Sequence, residues 1–178
     1  QSVPANLEVA TLRFNTPNNG NPIILNLSGT NQIKSGAILV TEAMGNTPVH
    51  ITGGAIARMG SGNLIIYNFN TQAVVRIDSQ LLGFPVFNTN DLGQVTGITL
   101  SDVGVMKAGP GKVILGNADN RHDHYTWVLD GEMEIAGPEC LGVGSWHGSW
   151  KSVQNFVMIY NGGTLTTTGS FDFAREVY

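Results

Sequence analysis

The chain has 178 residues, enough for a single domain with a real core and no covalent staple. Only 12% of the residues are charged, the formal net charge is −4, and the nine basic residues are scattered from Arg13 to Arg175 with no two adjacent. That balance argues against direct nucleic-acid contact by this segment. The lone Cys140 provides neither an intrachain disulfide nor a cysteine-based metal site, and no apolar run reaches the length of a membrane span, so no membrane insertion is expected.

In chain order, short apolar or alternating runs bounded by Gly, Asn and Pro predict strands over 7–14, 22–28, 36–44, 49–59, 63–69 and 73–78. Residues 83–94 read as a long loop. Further strands are predicted over 95–101, 112–116, 124–135, 153–160 and 169–178. No window keeps helical spacing with caps for more than two turns. No internal repeat is evident, and the sequon Asn26-Leu27-Ser28 is short enough to occur by chance. Several strands are apolar on both faces: Leu64 and Ile66 alternate with Ile65, Tyr67 and Phe69. Such strands need cover on both sides, which predicts a homo-oligomer whose contacts use one sheet. The expected fold is all-β, an antiparallel β-sandwich of jelly-roll type with very little helix. It forms one domain over 1–178, in a chain processed or excised from something longer.

The densest chemistry lies in residues 116–135. Gly116, five residues and then His122-Asp123-His124 partly resemble the first cupin motif, and the run Gly142 to His147 loosely resembles the second. The resemblance implies a divalent iron, manganese or zinc held by His122, His124 and His147. The motif's glutamate would fall at Val128 or Leu129, its proline at Gly142 and its asparagine at Lys151. Strand alternation gives an independent reading. A continuous strand over 122–135 places Tyr125, Trp127, Leu129, Met133 and Ile135 on the core face. It places His122, His124, Thr126, Asp130, Glu132 and Glu134 on the solvent face. A hairpin at Asp130-Gly131 explains fewer residues. The preferred reading is therefore a polar strand face with no metal, no cofactor and no catalytic residue, and the cupin-like enzyme stands as the alternative.

Trp146, His147 and Trp150 form a second cluster. They either close one end of the core or offer stacking rings to a glycan or a partner, as in a carbohydrate-binding sandwich or fibrous adhesin.

Residues 152–178, "SVQNFVMIYNGGTLTTTGSFDFAREVY", resemble the last two strands of the jelly roll in capsid proteins of small icosahedral viruses. The resemblance implies a structural capsid domain at the virion surface, joined to other copies and open to a host receptor. No basic amino-terminal arm is present, which fits a protruding domain.

Overall fold

The computed structural model describes residues 2–60, 62–92, 94–101, 103–122, 124–142, 145–147, 150–153, 156–160, 162–172 and 177; within 84–89, 95–101, 145–147 and 150–153 only the main chain is described. The chain winds through two sheets, visiting each in turn. The opening pass is β1 (Glu8–Val9) and β2 (Leu12–Phe14). The next passes are β3 (Ile23–Ile33) with β4 (Ala37–Val40), and β5 (Val49–Arg58) with β6 (Leu64–Asn68). Then come β7 (Val75–Ile77), β8 (Gln80–Leu82), β9 (Phe84–Thr89), β10 (Val95–Ser101) and β11 (Val105–Ala108). They are followed by β12 (Lys112–Leu115) with β13 (Thr126–Val128), and by β14 (Gly131–Ile135), β15 (Ser145–His147), β16 (Trp150–Val153) and β17 (Val157–Ile159). The final strand is β18 (Gly163–Thr167).

Both large sheets are parallel. The first has the order β1-β3-β5-β7-β12-β14-β18, with β8 also on β5, and the second has the order β17-β13-β11-β6-β4-β2. Each coil therefore stacks on the one before it, which is a β-solenoid. Only two hairpins, β9–β10 and β15–β16, pair antiparallel among the described residues.

This corrects the expected antiparallel jelly roll, while the near absence of helix stands: two short 3₁₀ turns, Glu42–Met44 and Pro138–Leu141, are the helical elements described. The physical reason lies in what alternation encodes. A strand with one buried face reads the same in a sandwich and in a solenoid, and a Gly- or Asn-rich corner reads like a hairpin turn.

The core fills the space between the sheets. Leu25, Ile51, Ile77, Leu115 and Ile135 are successive register partners and all face inward. Ile23, Val49 and Val75 form the neighbouring row, and the two steps between them are equal in length. Each fully buried aliphatic side chain of this kind contributes about 1.5–3 kcal/mol.

Two local expectations also change. Phe84–Thr89 and Val95–Ser101 pair antiparallel as β9 and β10, where 83–94 read as a loop. The predicted strand over 124–135 divides into β13, in the second sheet, and β14, in the first. Between them Gly131 has φ +65°, and a Cβ there would stand 2.5 Å from Lys107 Nζ and 2.6 Å from the Pro110 carbonyl. The corner resets the alternation. Met133 and Ile135 are core, as expected, but upstream it is Thr126 and Val128 that point inward, with Trp127 half-buried on the outside. The alternative hairpin at Asp130-Gly131 does not form either, because the corner joins two parallel sheets. The predicted strand over 169–178 lies partly outside the described residues. Val177 makes a parallel bridge to Val157.

Candidate interaction surface

The two sheets present opposite chemistry to the outside. On the second sheet the outward row is Ala37, Ile65, Met106, Trp127 and Met158, each the register partner of the next. A second row runs through Leu39, Tyr67 and Ala108. All eight are half-buried. Tyr67 stacks on Phe69 with ring centroids 6.3 Å apart and planes 9° from parallel. Phe69 is 46% exposed and Tyr160, at the far end of this face, 52%. The rows exist because parallel, in-register stacking places like positions of successive coils above one another.

On the first sheet the outward rows carry the ion pairs, interspersed with Ile24, Ile114 and Thr166. His50 Nε2 lies 2.7 Å from Asp78 Oδ2, and Arg76 Nε donates to the same oxygen at 2.8 Å. Burial alone would raise the Asp78 carboxyl, but the hydrogen bonds from Arg76 and His50 carry it below its ordinary value. On the coil next to Arg76 and Asp78, Lys112 Nζ lies 2.9 Å from Glu132 and also pairs with Glu134. The Thr166 hydroxyl donates to Glu132 at 2.7 Å. That bond and Lys112 lower the Glu132 carboxyl, and Glu134 with Glu132 raises the Lys112 amine.

Lys107 is a charge placed within. It occupies the inward row between Ile66 and Val128 and has no exposed surface. Its ammonium donates to the carbonyls of Gly109 and Asp130, at the two corners beside it. Burial pulls the amine down to about 8, against the opposing pull of Asp130 and Glu132.

The insertions all leave from one flank, where the chain passes from the first sheet to the second. Residues 59–63 make that passage in an early coil, and 83–104, 116–125 and 136–156 make it later. The longer passages lean on one another. Arg121 N donates to Leu81 O at 2.7 Å, Leu81 N to Asn120 Oδ1 at 2.8 Å, and Asn120 Nδ2 to Cys140 O at 2.7 Å.

The sequence-derived site residues fall on this flank. His122 is fully buried, with Nε2 3.3 Å from Thr126 Oγ1, so it does not share the solvent face assigned to it. Gly142 backs onto it: a Cβ there would lie 2.2 Å from His122 O. His124 is half-buried among Tyr125, at 4.1 Å between centroids, and Trp127, at 5.7 Å. Tyr125 stacks on Phe156 at 5.6 Å. Among the described residues no three His, Cys, Asp or Glu side chains are grouped so as to hold a metal ion. Asp123 and the side chains of Trp146, His147 and Trp150 lie outside the described residues; along the main chain His147 is the register partner of Trp150 in the β15–β16 hairpin. Among the described residues no helix is long and apolar enough to cross a membrane.

Sequence reasoning noticed that strands such as β6 are apolar on both faces, which is the signal for the outer rows. It missed His50, Arg76 and Asp78, because residues on successive coils are distant in the chain and carry no local motif. No protein-family model, curated protein or solved structure matches the chain.

Proposed function

We propose that this chain is a structural assembly module, a β-solenoid that joins a second copy of itself through the outer face of the second sheet. The row Ala37–Ile65–Met106–Trp127–Met158 carries the reading. A continuous apolar row along a parallel sheet is self-complementary about a two-fold axis, and closed two-fold pairs are the commonest oligomers. Its aromatic and Met content matches the core of protein interfaces. The charged first sheet, its ions paired with one another, keeps the opposite side in water.

The viral capsid reading is a narrower form of the same structural role. It rested on an antiparallel jelly roll, and the parallel solenoid withdraws that ground. Receptor attachment and a virion location rested on the same resemblance and gain no support from the solenoid.

The test is sedimentation of the wild-type protein beside an Ile65→Lys/Met106→Lys variant. The expected result is a defined oligomer for the first and a folded monomer for the second. A wild-type protein that stays monomeric at high concentration overturns the reading.

A further inference from the structure

The corner where the second sheet returns to the first holds a groove of about 330 Å³, lined chiefly by Thr71, Gln72, Val74, Pro110, Lys112 and Glu132. This volume is at the low end of the range for small-molecule sites, roughly 300–1,000 Å³. It lies on a different part of the solenoid from the insertion flank.

The walls of the groove are tied together from beneath. Asn68 is fully buried; its Oδ1 accepts from Asn70 N at 3.0 Å and its Nδ2 donates to Lys112 O at 2.9 Å. Gly111 N returns a bond to Asn68 O at 2.9 Å. Asn70, itself buried, accepts from Gln72 N at 3.0 Å. One asparagine thus fixes the 69–74 turn to the 109–112 turn, so the groove is shaped before any ligand arrives and binding has little ordering entropy to overcome.

The chemistry of the lining selects the ligand. Lys112 is already neutralised by Glu132 and Glu134, and Glu132 also accepts the Thr166 hydroxyl. An anion would have to compete with two carboxylates for one ammonium, and a cation would have to displace that ammonium. A neutral polyol does neither. Its hydroxyls accept from Lys112 and Gln72 and donate to Glu132, while its C–H face rests on Pro110 and on Val74, which is 37% exposed. We infer that this groove binds one neutral sugar unit of an oligosaccharide.

The test is titration of the isotope-labelled whole chain, followed by amide shifts, with neutral gluco-, manno- and galacto-oligosaccharides and with sialylated and uronate-bearing counterparts. The expected result is saturable binding of a neutral sugar that moves the amides of 71–74, 111 and 112. Val74→Arg, which fills the groove with bulk and charge, should weaken it at least tenfold, and Lys34→Ala, in the exposed pair with Glu8, should leave it unchanged. If Val74→Arg does not fold, Gln72→Ala decides the matter with an expected loss of threefold or more. The inference is overturned if no neutral sugar binds, if only acidic sugars bind, or if the shifts map to the insertion flank. None of these outcomes bears on self-association, which the sedimentation experiment reads separately.

Discussion

The ammonium of Lys107 donates to the main-chain carbonyl of Asp130, so a side chain from the inward row of one coil closes the corner of the next. The Gly109 carbonyl takes a second bond from the same ammonium. Lys107→Met keeps the length of the side chain and leaves both carbonyls without this donor. Buried acceptors that lose their partner cost about 1–3 kcal/mol, so a loss of that order is expected in urea unfolding at pH 7.

The same residue sets an alkaline signature. Its folded pKa, about 8, lies below the ordinary 10.5, so above pH 8 the unfolded chain binds more protons than the folded one, and stability rises with pH. One such group contributes a slope of at most about 1.4 kcal/mol per pH unit. The clean window is pH 8 to 9, because above 9 the buried Cys140 thiol, held up by desolvation, acts in the opposite direction. Urea midpoints that rise across this window in the wild type and stay flat in Lys107→Met are the expected result.

At the acid end the sign is the same, in a lower pH window. Asp78 and Glu132 are held below their ordinary values of 3.8 and 4.5, so each adds stability above those values that is lost as pH falls through the folded pKa. Both side chains are partly exposed, at 25% and 35%, so each pair contributes no more than about 1 kcal/mol. The Asp78→Asn/Glu132→Gln variant should be slightly less stable at pH 6 and should lose less than the wild type on acidification, as followed by thermal melting.

Gly142 and Gly45 separate backbone strain from crowding. Both have positive φ, +80° and +55°, but a Cβ at Gly45 meets nothing within 4 Å, whereas one at Gly142 runs into His122. Gly45→Ala should cost about 1–3 kcal/mol for its backbone conformation alone. Gly142→Ala should cost clearly more, and should shift the His122 imidazole resonances in NMR spectra, which Gly45→Ala should not.

The β9–β10 hairpin is an excursion from the coil. An earlier coil makes the same passage with residues 59–63 alone. Replacing residues 84–101 by a short Gly/Ser link should preserve the β-type circular dichroism and a cooperative melt. Loss of folding in that variant would show that the hairpin belongs to the core.

Much of the strand content was legible, because alternation of the type Val49, Ile51 with His50, Thr52 is a local signal. Direction of pairing was not, since it depends on which strand lies alongside and leaves no trace within either. The equal steps from Ile23 to Val49 to Val75 were the available clue to stacking. Later insertions hid it, as the uneven steps from Val75 to Val113, Met133 and Leu165 show. The apolar outer rows were visible in β6 as a strand apolar on both faces. The alternation through Trp127 failed because a single Gly131 corner moved the chain from one sheet to the other. The Lys107 contacts and the Asn68 brace were illegible, because each joins residues from different turns of the winding.

In both main sheets the ladders of hydrogen bonds run along the stacking direction, each coil bonded to the coils on either side. A pull along that direction loads one ladder at a time, so the chain yields by peeling a coil and exposing the next, with resistance that depends little on the number of coils remaining. A force across the stack meets all the ladders at once, in shear. The solenoid is therefore stiff to sideways load and unravels from its ends, and lateral pairing through the second sheet, by tying each coil to a neighbour's, would turn a peelable thread into a strap.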